Sequence, residues 1–309
     1  MSPHGKRRQP RIVTPLGAPI IDAELQLDFP LDELEVRMMV RDALEEDYAF
    51  RDVTTAATVL SDRRARATIV ARQEGVLAGV PFALEAFRIL DPSVTIRVDV
   101  DDGTRVHPGL ALFYISGHAR GMLSAERVAL NFMQRLSGIA SLTRRFVDAV
   151  VGTGVSILDT RKTTPGWRRL EKYAVRAGGG MNHRMDLFSA VLIKDNHLVA
   201  VDGDIALAVR RTRDLAPPGT RVEVECDRPE QVDAAVAAGA DIILLDNMAI
   251  PMLQECVRRV AGRATLEASG GISLATVRGI AETGVDWISV GALTHSAPAL
   301  DLGLDFTSV

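Results

Sequence analysis

The sequence predicts an α/β protein in which a parallel sheet, closed or nearly closed into a barrel, occupies the second half of the chain. Three observations carry that expectation. From Ser156 onward, short apolar strands recur with alanine-rich helical stretches between them, in strand–helix units of about 20–25 residues. These strands run through Ile, Leu and Val and then stop in a polar residue or a glycine, as strands do where a barrel carries chemistry at their carboxyl ends. Before Ser156 the pattern differs, and 309 residues suffice for two domains or for one barrel with an addition.

Met1 to Pro19 is basic and proline-rich with no apolar core after it, which reads as a disordered extension and not as a signal peptide. Leu31–Glu46 has helical periodicity in Leu34, Val36, Met38, Met39, Val40 and Leu44. Asp52-Val53-Thr54-Thr55 reads as a turn or helix cap, Ala65–Ala71 as a strand, Gly75–Gly79 as a tight apolar connection, Pro81–Leu90 as a helix and Val94–Val100 as a strand. Asp101 to Leu110 is a turn–strand–turn signal leading into Ala111–Ser116. Its Asp-Gly-x-x-Val-x-x-Gly pattern also occurs in biotinyl and lipoyl carriers, but no lysine stands at the hairpin tip, so a structural hairpin is expected. Ser124 is placed as the cap of a long helix that breaks or bends at Ser137-Gly138 and resumes to Val150.

In the second half, strands are expected at Ser156–Asp159, Val191–Lys194, Val222–Cys226, Ile242–Asp246, Leu266–Ala268 and Trp287–Val290, with a possible seventh before Ser156. Helices are expected at Asp204–Leu215, Pro229–Ala238, Pro251–Val260 and Leu274–Thr283.

Composition narrows the function. A net charge of -4 argues against a nucleic-acid binder. Two cysteines, Cys226 and Cys256, form neither a disulfide framework nor a zinc pattern, which fits a reducing cytoplasm. No apolar run approaches the roughly 20 residues of a membrane helix.

The strand ends carry Arg161 and Lys162, then Lys194, Glu225, Asp246 with Asn247, Ser269-Gly270-Gly271, and Gly291. Burying fixed cations costs free energy unless an anion meets them. Arg161, Arg184, Lys162 and Lys194 therefore point to an anionic substrate, the bland alternative being internal salt bridges to Glu225, Asp246 or Asp195. Glu225 and Asp246 suit Mg²⁺ near phosphates, although alternation places Glu223 on the same strand face as Glu225. The glycines after the last two strands let backbone amides approach a phosphate. His183 can pair with a carboxylate or shuttle a proton.

Several separate motifs together resemble one family. They are Glu126-Arg127 with Asn131, Ser137-Gly138-Ile139-Ala140, Asp159-Thr160-Arg161-Lys162-Thr163, Gly178 to Arg184, Leu192 to His197, and Ala268 to Ile272. In this order they are similar to quinolinate phosphoribosyltransferase, the carboxylating nicotinate-nucleotide pyrophosphorylase, over residues 31 to 306. The resemblance implies a type II phosphoribosyltransferase-like fold: an incomplete α/β barrel beside an N-terminal α/β sandwich. It implies an extension over 1–30, the sandwich over 31–130, the barrel over 131–291, and 292–309 returning to the first domain. The implied reaction joins quinolinate to phosphoribosyl pyrophosphate with Mg²⁺, giving nicotinate mononucleotide, pyrophosphate and CO₂ in NAD biosynthesis.

By the same resemblance, Arg161, His183 and Arg184 bind quinolinate, Thr160 is a substrate-binding residue, and Arg127 arrives from the other subunit of a homodimer or larger homo-oligomer. Lys162 and Lys194 serve the reacting centre and pyrophosphate, and Glu225 and Asp246 the ribose and metal. Ser269, Gly270 and Gly271 with Val290, Gly291 and Ala292 form the 5′-phosphate site. Neither nucleic acid nor membrane is an expected partner, and a cytoplasmic location is expected. Arg51 and Ser189 depart from the family pattern beside its motifs. A paralogue linked to molybdenum transport typically lacks the Ile193-to-His197 stretch. The rival readings are a Schiff-base aldolase using Lys194 and a catalytically silent binding protein.

Overall fold

The computed structural model describes residues 11–13 and 27–308. The chain forms two compact units, Met1–Ser141 with Pro298–Val309, and Leu142–Ala297. Most of the extension expected to be disordered therefore lies outside the described residues. The part that is described includes β1 (Arg11–Val13).

In chain order the first unit continues with α1 (Glu33–Glu46), a 3-10 turn (Ala49–Arg51), α2 (Val53–Thr58), β2 (Arg64–Ala71), β3 (Gly75–Val76), α3 (Val80–Leu90), β4 (Thr95–Val98), β5 (Arg105–Val106), β6 (Ala111–His118) and α4 (Ala119–Ala149). The last residues of α4 count with the second unit. That unit comprises β7 (Ser156–Leu158), α5 (Arg168–Ala177), β8 (Val191–Ile193), α6 (Asp195–Val199), α7 (Ile205–Leu215), β9 (Val222–Cys226), α8 (Pro229–Ala237), β10 (Ile242–Asp246), α9 (Ile250–Val260), β11 (Thr265–Ser269), α10 (Val277–Ala281), β12 (Trp287–Ser289) and α11 (Ala292–His295). The chain then returns to the first unit as β13 (Leu302–Ser308).

The first unit is built on a five-stranded antiparallel sheet ordered β1-β4-β6-β2-β13. Alternation decides its faces: Phe113 and Ile115 are buried while Tyr114 between them is exposed. Phe82 of α3 stacks on Phe132 of α4 at 4.4 Å between ring centroids. Burial of each such ring contributes roughly 1.5–3 kcal/mol. Acids fix the helix starts. Asp32 and Glu35 form a reciprocal cap on α1. Asp52 caps α2 by accepting from the Thr55 amide at 2.9 Å. Asp102 accepts from the amides of Gly79 and Val80 at the start of α3, so the Asp101-Asp102 pair does turn-and-cap work.

Two expectations for α4 are corrected. It is one unbroken helix, and Ser124 lies inside it, donating to Asp52 Oδ2 at 2.8 Å instead of capping. Ser137 and Gly138 do not break it either. Ser137 Oγ exchanges bonds with the Ala78 amide and carbonyl. A Cβ at Gly138 would sit 2.0 Å from the Pro298 carbonyl oxygen. Both residues are there because other chain segments pass close to the helix. The first unit accordingly extends to Ser141, beyond the expected boundary at 130, and takes back the chain from Pro298 instead of from 292.

The second unit holds a six-stranded parallel sheet ordered β7-β12-β11-β10-β9-β8. Among the described residues its edge strands β7 and β8 do not pair, so the barrel is incomplete. Among the described residues no seventh strand of this sheet precedes Ser156. Instead, Met181, after α5, makes a single parallel bridge to Leu158, with its amide donating to the Ile157 carbonyl at 2.8 Å. Cys226 and Cys256 are buried and unbridged.

Candidate active site

The loop after β7 carries Asp159, Thr160, Arg161 and Lys162. Asp159 is fully buried and pairs with the equally buried Lys172 of α5. Burial raises the acid and lowers the amine, and each partner opposes the shift of the other. Asp159 also accepts from Asn182 Nδ2 at 2.6 Å and from the His183 amide at 2.9 Å. Lys172 Nζ donates to the His183 carbonyl at 3.0 Å. Asp159, after β7, and Lys172 of α5 thus fix where Asn182 and His183 lie. Thr160 Oγ1 accepts from the Lys162 amide at 3.0 Å, and Thr294 Oγ1 of α11 donates to the Lys162 carbonyl at 2.7 Å.

His183 sends its ring inward onto Glu223 of β9 and Glu267 of β11. Nε2 lies 3.1 Å from Glu223 Oε2 and 3.4 Å from Glu267 Oε2. Both glutamates are buried, and Glu223 Oε1 and both Glu267 oxygens lack a hydrogen-bond partner. Burial opposes charge on the ring, but the two carboxylates outweigh it and push the imidazole up to about 10. The Arg184 amide pulls the other way, donating to Nδ1 at 2.7 Å, and so needs that nitrogen bare. The geometry thus offers Nδ1 to the Arg184 amide and Nε2 to the two carboxylates. Glu223 is raised first by burial and then by Glu267, with His183 opposing. Among the described residues these three have metal-ligand spacing, their atoms lying within 4.8 Å of one another.

Lys194 ends β8, with Nζ 3.6 Å from Glu225 Oε2 of β9. Here the internal salt-bridge alternative holds for one cation. Glu225 is raised by burial and then by Asp246 and Asp195, with Lys194 opposing. Asp246 ends β10, next to β9 and to Ser269 of β11. Gly270 adopts φ +91° against the Asn247 side chain, where a Cβ would come within 2.2 Å. Asn247 in turn donates to Asp246 Oδ2 at 2.8 Å. Ser289 donates to Ser269 Oγ at 3.0 Å. A Cβ at Gly291 would sit 3.0 Å from Lys162 Cδ, so the last strand ends pack directly on that lysine.

Arg161 Nε is buried with no hydrogen-bond partner. Arg184 is lowered first by burial and then by the nearby Arg161 charge; its Nη1 donates to the Ala190 carbonyl at 3.1 Å. Two guanidiniums are therefore held close enough to repel. The expected residues of the second unit gather at the carboxyl ends of its strands, with two qualifications. The Val290 amide is spent on the Leu158 carbonyl at 2.9 Å, which removes it as a phosphate donor. Arg127 is exposed on α4 in the first unit. Of the two departures from the family pattern, Arg51 closes the 3-10 turn, and the Ser189 amide bonds Asp186 at 2.7 Å.

Sequence reasoning missed Asp159, Lys172, Asn182, Thr294 and Glu267 as parts of the site, and set Glu223 aside. A charge at an inward strand position between apolar residues was the available signal for Glu223 and Glu267. The Asp159–Lys172 pair has none, because only the fold brings the two together.

The family described as "Quinolinate phosphoribosyl transferase, N-terminal domain" matches residues 52–137, and its C-terminal domain matches 139–305. The carboxylating nicotinate-nucleotide pyrophosphorylase of Mycobacterium leprae (strain TN) is 47% identical over 277 residues, covering 87% of this chain and 96% of that one. A probable enzyme of that name from Bacillus subtilis (strain 168) is 40% identical over 277 residues, covering 90% and 95%. The solved structure of nicotinate-nucleotide pyrophosphorylase from Francisella tularensis superposes with a TM-score of 0.84 at 39% identity, covering 90% of this chain and 98% of that one.

Proposed function

This chain belongs to the quinolinate phosphoribosyltransferase family, and from that premise we propose how its own residues carry out the reaction. It transfers phosphoribosyl from phosphoribosyl pyrophosphate to quinolinate with loss of CO₂, giving nicotinate mononucleotide for NAD biosynthesis. The observation that carries the assignment of residues is the buried, unpartnered Arg161 Nε beside Arg184. Two mutually repelling guanidiniums gain most from a dicarboxylate, which each can grip through paired N–H donors.

Departure of pyrophosphate builds positive charge on the ribose and negative charge on the leaving group. Lys162 and Lys194 face the leaving group, and Glu225 and Asp246 face the ribose. Glu225 keeps Lys194 in place through its ion pair. Gly270, Gly271 and Gly291, with Ser269 and Ala292, offer a close backbone approach to the 5′-phosphate. Attachment of ribose to the ring nitrogen makes the pyridine electron-poor, and that lets the neighbouring carboxylate leave as CO₂, its bonding electron pair staying on the ring carbon, which then takes a proton from water. A Schiff base at Lys194 is not needed for any step.

Glu225 and Asp246 fit Mg²⁺: both offer hard oxygen donors, and Asp246 raises the cost of charge on Glu225, which a cation relieves. Bound there, Mg²⁺ would supply countercharge to the diphosphate. The exposed Arg127 suits an assembly in which it enters a neighbouring copy's site, a homodimer at the least. Among the described residues no helix is long and apolar enough to cross a membrane, in keeping with a cytoplasmic enzyme.

The test is incubation with quinolinate, phosphoribosyl pyrophosphate and Mg²⁺, omitting each in turn, with release of CO₂ and the mononucleotide as readouts. All three are expected to be required. Mononucleotide formed without Mg²⁺ in chelator would remove the metal from this account, and none formed with all three would remove the reaction.

A further inference from the structure

Arg168 opens α5 and donates in two directions. Nε reaches Thr163 Oγ1, in the loop after β7, at 3.1 Å. Nη1 reaches the Met185 carbonyl, in the loop before β8, at 3.3 Å. Thr163 holds the Arg161 carbonyl through its amide at 2.9 Å, and Met185 directly follows Arg184. One guanidinium therefore ties together the two backbones that carry Arg161 and Arg184. Those two cations repel each other. One turn further along α5, the fully buried Glu171 secures the first of these loops from inside. Its carboxylate accepts from the Thr164 amide at 3.0 Å and from the Thr164 hydroxyl at 2.9 Å.

The start of α5 is a poor place for a cation. The first turn of a helix favours negative charge, and Arg168 adds to the positive charge that Arg161 already brings to the buried Lys172. What the position offers is reach. We propose that Arg168 is a positioning residue for the dicarboxylate site: by spanning Thr163 and the Met185 carbonyl it sets the separation of Arg161 and Arg184. Arginine suits the task because its N–H donors diverge within one rigid plane, whereas lysine offers a single point. Groups that receive a substrate lose much of their effect when displaced by about an ångström. Lys162 is held separately, by Thr160 at its amide and Thr294 at its carbonyl, so the span serves the quinolinate side and not the diphosphate side. The consequence for quinolinate rests on the proposed function; the span itself does not.

Two measurements test it. In hydrogen–deuterium exchange on the full chain free of substrates, Arg168→Ala is expected to speed exchange in segments 160–164 and 184–190 while the strands of the parallel sheet keep parental rates. Parental rates in either segment, or faster exchange throughout the second unit, overturn the proposal. In steady-state kinetics, Arg168→Ala is expected to raise KM for quinolinate about tenfold, with KM for phosphoribosyl pyrophosphate unchanged. Arg168→Lys keeps the charge without the span, so its quinolinate KM should stay more than about threefold above the parent. A smaller rise in Arg168→Lys, or an equal rise in both KM values in Arg168→Ala, overturns it. If Arg168→Ala does not fold, Thr163→Val, which removes only the acceptor, takes its place in both measurements with the same expectations. If the parent releases no CO₂, the reaction reading fails while the exchange rates still decide the span.

Discussion

In the first unit, Asp52 and Asp91 are held as carboxylates by the groups around them. Thr55 lowers Asp52 through its hydroxyl and amide. Burial drives Asp91 upward, but bonds from Ser93 and His118 outweigh it and hold it low. In the second unit, Glu223 and Glu225 are pushed the other way, first by burial and then by neighbouring acids. The first pair is fully answered by local donors and has finished its task once the helix ends are fixed. The second pair is only partly answered, by His183 and Lys194. Incomplete satisfaction marks the place where an outside molecule completes the set, and local satisfaction marks architecture.

The sharpest way to break this contrast is Lys194→Ala. It removes the one cation paired with Glu225 and should lower kcat by about 10²–10³-fold in the CO₂-release assay, as loss of a charge-stabilising donor does; a near-parental rate would place Lys194 with the structural residues. Next comes Arg161→Ala. Loss of a charged grip should weaken quinolinate binding by roughly 10–100-fold in direct titration, with phosphoribosyl pyrophosphate binding little changed. Equal losses would remove Arg161 from the dicarboxylate.

Within the first unit, Gly138→Ala should cost about 1–3 kcal/mol in urea unfolding, because its Cβ would meet the Pro298 carbonyl and the backbone must shift. The smallest effects concern pH. Asp52 and Asp91 sit below the ordinary 3.8, so their contribution is complete above that value and is lost as pH falls through their lowered values. Glu223 and Glu225 sit above 4.5, so theirs is complete below it and is lost as pH rises through their raised values. Urea midpoints followed from about pH 3 to about pH 7 should show a shallower acid loss in Asp91→Asn and a shallower loss on the rising side in Glu223→Gln. The same slope in each variant as in the parent would void the contrast.

Where local rules decide, the sequence was readable. Val222–Cys226 and Ile242–Asp246 are strands at the expected bounds, since apolar runs closed by turn residues have few alternatives. Asp52 caps its helix as expected. Reading failed where a distant segment decides. Ser137-Gly138 looks like a helix break on propensity alone, and only the passage of Pro298 and of the Ala78 backbone explains both residues. Ser124 looks like a cap until Asp52 is seen to occupy its hydroxyl. At the site, the cations at the strand ends were visible because each interrupts an apolar run. The approach of His183 to Glu223 and Glu267 was not, because it joins β9, β11 and a loop between α5 and β8. Alternation put Glu223 and Glu225 on one face, and only the third dimension separates one that meets His183 from one that meets Lys194.

Because β13 pairs with β2 along Leu302–Ser308, the sheet that begins early in the chain is completed by residues translated after the whole second unit. On the ribosome, the second unit can be finished while the first still waits for its edge strand. A fragment ending near Ser141 should therefore bare β2 and associate through it, and refolding of the first unit should be slow for its size, since its ends must find each other across the whole second unit.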